Sequence, residues 1–321
     1  MYWPVTRRKL LGYGALGVAT TAIGGCTHMM THPVQALSAA PASPPPISAQ
    51  ISSRIRLHMI QTGWVAVKEE HRAYAGPVSL RIPVIMASQN WTEWMPITAF
   101  AIEHPEGVIV VDTGETANIG DPDHAACDAV TGMFYRRNLQ FSLVAEEEIG
   151  AQMRLLGIAP EQVGQVVMTH LHSDHMGGMS AFGGKMIRVS EAAANGHAGA
   201  LMCRIPQNVR ITPLVYRDGE VGVFPNSAAL TWDGAISAIP TPGHAKGHQS
   251  VLIQDEGKSV CIVGDAVFSL AQIRSGEIGG IVENYADAVN SAGMLKRQFE
   301  IFGTTMLPTH DPDNAVRLRQ A

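Results

Sequence analysis

Thr169-His170-Leu171-His172-Ser173-Asp174-His175, or T-H-L-H-S-D-H, follows the apolar positions Val163, Val166, Val167 and Met168 and runs into Gly177 and Gly178. The apolar run predicts a buried strand. Four imidazole and carboxylate side chains therefore leave a strand end and enter a tight glycine turn. Residues two apart on an extended segment point to the same side, so His170 and His172 can grip one ion together. Asp174 and His175 lie past the bend and can turn toward a second ion. Imidazole nitrogen and carboxylate oxygen are the ligands that zinc and similar borderline metals prefer.

Three further positions repeat this arrangement. Thr241-Pro242-Gly243-His244 follows an apolar run at 235–240, Gly264-Asp265 follows 259–263, and Pro308-Thr309-His310-Asp311 follows 304–307. A lone His or Asp after a strand usually caps or packs. Three of them behind an H-x-H-x-D-H are better read as ligands.

With these residues the chain resembles the metallo-β-lactamase superfamily: T-H-L-H-S-D-H-M-G-G, T-P-G-H-A-K-G-H-Q-S, V-G-D-A, P-T-H-D, and upstream V-I-V-V-D-T-G with Asp112. The resemblance implies an α/β fold, a four-layer αββα sandwich with a two-metal centre at one edge. It implies that His170, His172 and His244 bind one metal, that Asp174, His175 and His310 bind the other, and that Asp265 bridges both. The ions are expected to be two divalent cations, zinc by preference. Asp112 is expected to orient the site and His248 to support it without ligating.

Within the superfamily, T-P-G-H-A-K-G-H-Q-S-V-L-I and G-I-A-P-E-Q-V-G-Q-V-V-M-T-H-L-H-S-D-H look like the N-acyl-homoserine lactone lactonase group. The resemblance implies lactone opening by a metal-bridging hydroxide. Asp265 would hold the metals and Asp174 would also pass a proton to the leaving group. One departure stands out. The lactonases commonly carry Tyr three residues after the bridging Asp, where this chain has Phe268. A phenyl ring cannot donate a hydrogen bond to a substrate carbonyl, which keeps organophosphate triesters, aryl esters and thioesters as alternative substrates. Tyr285 is a candidate stand-in, with helix-start packing as its plainer role. Substrate-shaping residues are expected in 86–95, with Met86, Trp91 and Trp94, and secondarily in 133–141, as an acyl-chain groove or a homodimer contact.

The N-terminus reads as an address. Thr6-Arg7-Arg8-Lys9-Leu10-Leu11 is a twin-arginine type start, and the short Gly/Ala-rich apolar run at 10–23 suits a signal segment better than a spanning helix. Ile23-Gly24-Gly25-Cys26 resembles a lipoprotein cleavage box with Cys26 lipidated; ordinary cleavage between Ala36 and Ala42 is the other reading. This implies export to the periplasm, with a lipid anchor to the membrane if Cys26 is acylated. The expected organisation is a signal at 1–26, a Pro/Ala/Ser-rich tether at 27–50, and one catalytic domain at 51–321.

A net charge of −5 with only 16% charged residues argues against a nucleic-acid partner. Of the remaining cysteines, Cys261 sits in an apolar strand and reads as an inert core thiol, while a Cys127–Cys203 disulfide is permitted by an oxidising compartment. Strands are expected at 55–61, 64–67, 98–103, 108–111, 185–189, 235–239, 251–254 and 259–263. Helices are expected at 144–156 and 286–302, the latter with Val289, Ala292, Leu295, Phe299 and Phe302 as its core stripe.

Overall fold

The computed structural model describes residues 37–321 apart from 122–123 and 125–127. The signal, Cys26 and Cys127 therefore lie outside the described residues. Cys203 is disulfide-bonded and Cys261 is a free, buried thiol whose pKa burial pushes up.

Two sheets form the frame. The first contains β1 (Ile47–Gln50), β2 (Arg56–Val67), β3 (Met95–His104), β4 (Gly107–Val111), β5 (Leu139–Ser142), β6 (Val163–Val167), β7 (Met186–Ser190) and β8 (Arg210–Leu214). Its order is β1-β2-β3-β4-β6-β7-β8, with β5 paired to β2. The second contains β9 (Ala228–Ala229), β10 (Ile236–Pro240), β11 (Gln249–Asp255), β12 (Lys258–Gly264) and β13 (Thr305–Pro308), in the order β13-β12-β11-β10-β9. Pairing is antiparallel through β1–β4 and β9–β12, and parallel along β4-β6-β7-β8 and between β12 and β13.

Strand alternation sorts the side chains into layers. Along β3, Phe100 and Ile102 pack in the core shared with Ile236, Val251, Ile253 and Ile262 of the second sheet. Ala99 and Ala101 face the other way, into a cluster with Ile149 and Met153 of α4 (Ile149–Leu155). On the outer side of the second sheet, Ile239, Leu252, Cys261 and Val263 pack with Ile273 of α6 (Leu270–Ser275) and with Ala288, Ala292 and Leu295 of α7 (Tyr285–Phe302). The result is helix, sheet, sheet, helix, the αββα order that the motifs predict.

Three sequence expectations are corrected. The tether does not extend to residue 50: β1 pairs with β2 in register Ile47↔Met59 to Gln50↔Arg56, and Ile47 and Ala49 pack on the inter-sheet core. Four alternating residues after a proline run are too few to signal a strand until a partner edge exists. The expected helix at 144–156 is shorter, because Glu148 adopts an extended ψ of 147° and separates a short turn from α4. On α7 the buried residues are Ala288, Ser291, Ala292, Leu295 and Gln298, while Val289 and Phe302 are 46% and 47% exposed. The helix turns its small residues inward because the backbone of the T-P-G-H turn lies against it. Ser291 Oγ donates to Pro242 O at 2.6 Å, and a Cβ on Gly243 would fall 2.3 Å from Ala288 N. Helix α7 is too close there for any side chain at position 243.

Candidate metal centre

Every expected ligand, and the orienting Asp112 with them, sits just beyond the carboxyl end of a strand. Asp112 follows β4, the H-x-H-x-D-H run follows β6, His244 follows β10, Asp265 follows β12 and His310 follows β13. The β6 loop turns directly into the one-turn helix α5 (Ser173–Met176), which carries Asp174 and His175 and leaves the His175 ring 4.0 Å from that of His170.

Three groups of ligand atoms come together: His170, His172 and His244; Asp174, His175 and His310; and His170, His175 and Asp265. His172 Nδ1 lies 2.9 Å from both His170 Nε2 and His244 Nε2. His310 Nε2 lies 3.4 Å from Asp174 Oδ2 and 3.2 Å from Asp265 Oδ2. The Asp265 carboxylate joins the groups, with Oδ1 3.3 Å from His175 Nε2 and Oδ2 3.8 Å from His244 Nε2. Although close, Asp265 Oδ1 and His175 Nε2 are not aligned for a hydrogen bond, and both are buried without a hydrogen-bond partner among the described residues. Orphaned buried donor atoms converging on common points are what a divalent cation would satisfy. The residues present therefore fit divalent metal binding.

The outer edges of the rings agree. His175 Nδ1 donates to Asp112 Oδ2 at 2.8 Å, His244 Nδ1 to Ile281 O at 3.0 Å, and His310 Nδ1 to Pro96 O at 2.8 Å. His170 Nδ1 meets Thr169 Oγ1 at 3.1 Å, and that hydroxyl donates to Asp112 Oδ2 at 2.7 Å. In each case Nδ1 makes the outer hydrogen bond, which leaves Nε2 as the atom that faces the centre. His172 is the reverse, with Nε2 donating to Ala198 O at 3.1 Å and Nδ1 facing inward. Room for that contact depends on Gly199 (φ +82°), where a Cβ would meet His172 Nε2 at 2.8 Å. His248 makes no approach of this kind. Its Nε2 accepts from Asp265 N at 3.0 Å and its Nδ1 bonds Thr241 O at 3.0 Å, so it positions the Asp265 backbone.

Asp112 does more than end a turn. It adopts φ +58°, and its carboxylate accepts from Thr169 N at 2.7 Å as well as from Thr169 Oγ1 and His175. The left-handed backbone tolerated by Asp thus ties β4 to the ligand loop.

Charge is unevenly spread. Burial and neighbouring imidazoles hold His170 and His172 well below the ordinary histidine range. At His175 burial works against the proton, but Asp265, Asp112 and Asp174 outweigh it and the pKa rises well above normal. His310 follows the same pattern beside Asp265 and Asp174, to about 10. At neutral pH the ion-free site therefore holds protons on His175 and His310, and a metal must displace them. Metal loading near pH 7 is expected to release about two protons per chain, with affinity rising as pH rises. Calorimetry in buffers of different ionisation enthalpy checks this; no net proton release would contradict it.

A cavity of about 420 Å³ opens onto the centre. Its floor includes His172, Asp174, His244, Asp265 and His310, and its walls are mostly apolar, among them Val65, Met95, Phe134, Leu139, Phe268 and Val282. Phe268 is 4% exposed, with its ring 5.5 Å from that of His310. The expected substrate-shaping residues are largely corrected. Met86, Trp91 and Trp94 do not line this cavity. The Met86 sulfur and carbonyl are held by Asn138 and Arg137, Trp91 carries Lys68 3.6 Å above its ring, and Trp94 Nε1 donates to Ser38 O. The later segment contributes instead, through Phe134 and Tyr135 of the helix Ala129–Asn138 and Leu139 of β5. Tyr285 is 41% exposed and does not line the cavity. His71, which carries no motif, does line it. Only folding brings its helix, Glu69–Arg72, beside residues two hundred positions later.

Comparison with known proteins agrees with this geometry. A family model described as the metallo-beta-lactamase superfamily matches residues 92–303. The chain is 24% identical over 287 residues to the N-acyl homoserine lactonase AttM of Rhizobium radiobacter, covering 83% of this chain and 97% of that protein. Its fold is similar to that of an N-acyl homoserine lactone hydrolase solved with N-hexanoyl-L-homoserine at its catalytic metal centre, with TM-score 0.63, 21% identity, and coverage of 81% and 94% of the two chains. It is similar also to AidC, a dizinc quorum-quenching lactonase, with TM-score 0.58, 13% identity, and coverage of 84% and 91%.

Proposed function

The chain belongs to the metallo-beta-lactamase superfamily, and we propose that it is a dizinc hydrolase that opens lactones, with N-acyl homoserine lactones as the leading substrates. The observation that carries this reading is the joining of two ligand groups by Asp265 at the floor of an apolar cavity. Divalent ions bound there acidify water and polarise a carbonyl. The chain's own part is to position and shield. His170, His172 and His244 would hold one ion, Asp174, His175 and His310 the other, and Asp265 both. Asp174 lines the cavity floor, and in this reading its carboxylate would pass the proton lost by the attacking water to the departing alkoxide of the ring. The apolar walls suit an acyl chain, and the cavity volume is in the range of small-molecule sites.

The full chain with measured metal content is expected to open N-hexanoyl and N-dodecanoyl homoserine lactone, and a chelator should stop it until zinc is restored. Metal-loaded protein that turns over methyl parathion or an aryl ester but no lactone would replace this reading with the phosphotriester or ester alternative, which Phe268 favours.

We infer from the twin-arginine start and the Cys26 box that the protein is exported and held at a membrane by a lipid. Fractionation tests this: the native chain should be in the membrane fraction and Cys26→Ala in the soluble one. Equal distribution of both would remove the anchor.

A further inference from the structure

The cavity holds few polar groups besides the candidate ligands, and most already have partners. Tyr135 OH donates to Gly199 O at 2.7 Å, and Thr131 Oγ1 donates to Asp128 at 2.7 Å. Arg81 Nη2 bonds Val282 O; its Nη1 is unpaired, but only burial disturbs this guanidinium, with no contribution from the metal-site charges. His71 is different. It is 7% exposed, its Nδ1 is buried with no hydrogen-bond partner among the described residues, and its ring is 6.2 Å from those of Phe268 and Phe134. Burial lowers its pKa to about 3, and the nearby charges of His244, Asp174, Asp265 and His310 act on it to a smaller extent.

Its position is fixed by the same loop that orients a candidate ligand. Gly280 N donates to His71 O at 2.8 Å, and the next residue, Ile281, accepts from His244 Nδ1 at 3.0 Å. The approach is too close for a side chain at 280, where a Cβ would lie 1.7 Å from Glu70 O. Burial also keeps the imidazole neutral at physiological pH. A neutral ring carries one proton. A proton on the enclosed, unpartnered Nδ1 would be an orphaned buried donor, the costlier arrangement. The proton is therefore assigned to Nε2, the nitrogen left for the cavity.

We propose that His71 is a catalytic residue: its Nε2–H donates a hydrogen bond to the carbonyl oxygen of the bound substrate, a contact that the phenyl ring of Phe268 cannot make. This rests on the lactonase reading above. His71 keeps its proton throughout; as water adds to the carbonyl carbon, negative charge grows on the oxygen and the hydrogen bond strengthens. Such a donor acts more on the transition state than on the bound substrate.

The test uses the full, metal-loaded chain on N-hexanoyl homoserine lactone. His71→Phe should keep the wild-type metal content, and its melting temperature should be unchanged or higher, because an unpaired buried nitrogen is removed. Its kcat should fall about 100-fold, with KM changed less than about threefold. His71→Gln, which can present an amide N–H near the same place, should recover about tenfold or more of the loss, and Phe268→Tyr in the His71→Phe chain should do the same. Wild-type kcat in His71→Phe overturns the proposal. So does a loss that tracks lost metal or lowered melting temperature, or a loss that neither His71→Gln nor Phe268→Tyr recovers. Metal-loaded wild type that opens no lactone overturns the functional reading itself, and the role of His71 in it, before any variant is compared.

Discussion

Replacing Asp265 by alanine is expected to reduce lactone turnover to below about one-thousandth of wild type, a loss of more than ~4 kcal/mol of transition-state stabilisation. The reason is geometric. Asp265 Oδ1 faces His175 at 3.3 Å while Oδ2 faces His310 at 3.2 Å and His244 at 3.8 Å, so one carboxylate serves both ligand groups. Its charge is also the main attraction opposing the effect of burial on the His310 proton. Without it, Asp174 is the one carboxylate left among the candidate ligands, and both sites lose affinity together. Atomic absorption on Asp265→Ala should therefore find well under one metal per chain, and added zinc should not restore the rate. Full metal content with wild-type turnover would remove Asp265 from the centre.

Asp112→Asn should produce the second-largest effect, although Asp112 faces no ion in the proposed arrangement. The carboxylate accepts from Thr169 N, Thr169 Oγ1 and His175 Nδ1. An amide keeps one acceptor and turns an NH₂ group toward the hydroxyl or the ring. His175 then gains by moving its proton to Nε2, where it blocks the ligand lone pair. Metal affinity is expected to fall about 10- to 100-fold, mostly at the Asp174, His175 and His310 group. The strained φ of +58° is tolerated by Asn as by Asp, so melting of the metal-free chain should change little while metal titration weakens. Unchanged affinity, or a weakening shared equally by both groups, would show that Asp112 acts only as a turn residue.

What could be read directly from the residues was local in origin. The H-x-H-x-D-H run announces itself because its candidate ligands fall within six consecutive positions and the strand before them is plainly apolar. His244, Asp265 and His310 are legible for the same reason, since each stands just beyond a short hydrophobic strand. The two-sheet arrangement followed from the family resemblance that these motifs carry, while the short apolar runs marked the strands themselves.

The tertiary structure decided everything that depends on a partner from far along the chain. Residues 47–50 become a strand only because the β2 edge is free to pair with them. The buried face of α7 is set by the T-P-G-H turn pressing on Ala288 and Ser291, which overrides the more hydrophobic stripe containing Val289 and Phe302. Trp91 and Trp94 suggested a groove by composition alone, yet Lys68 and Ser38 hold them outside it. His71 gave no signal at all: its neighbours in sequence are Glu70 and Arg72, while its chemical neighbours are Phe268, Phe134 and the metal centre. A motif is a short-range object, so sequence alone determined the family and singled out the candidate ligands; which side chains wall the cavity beside them arises from contacts that exist only after the chain has closed on itself.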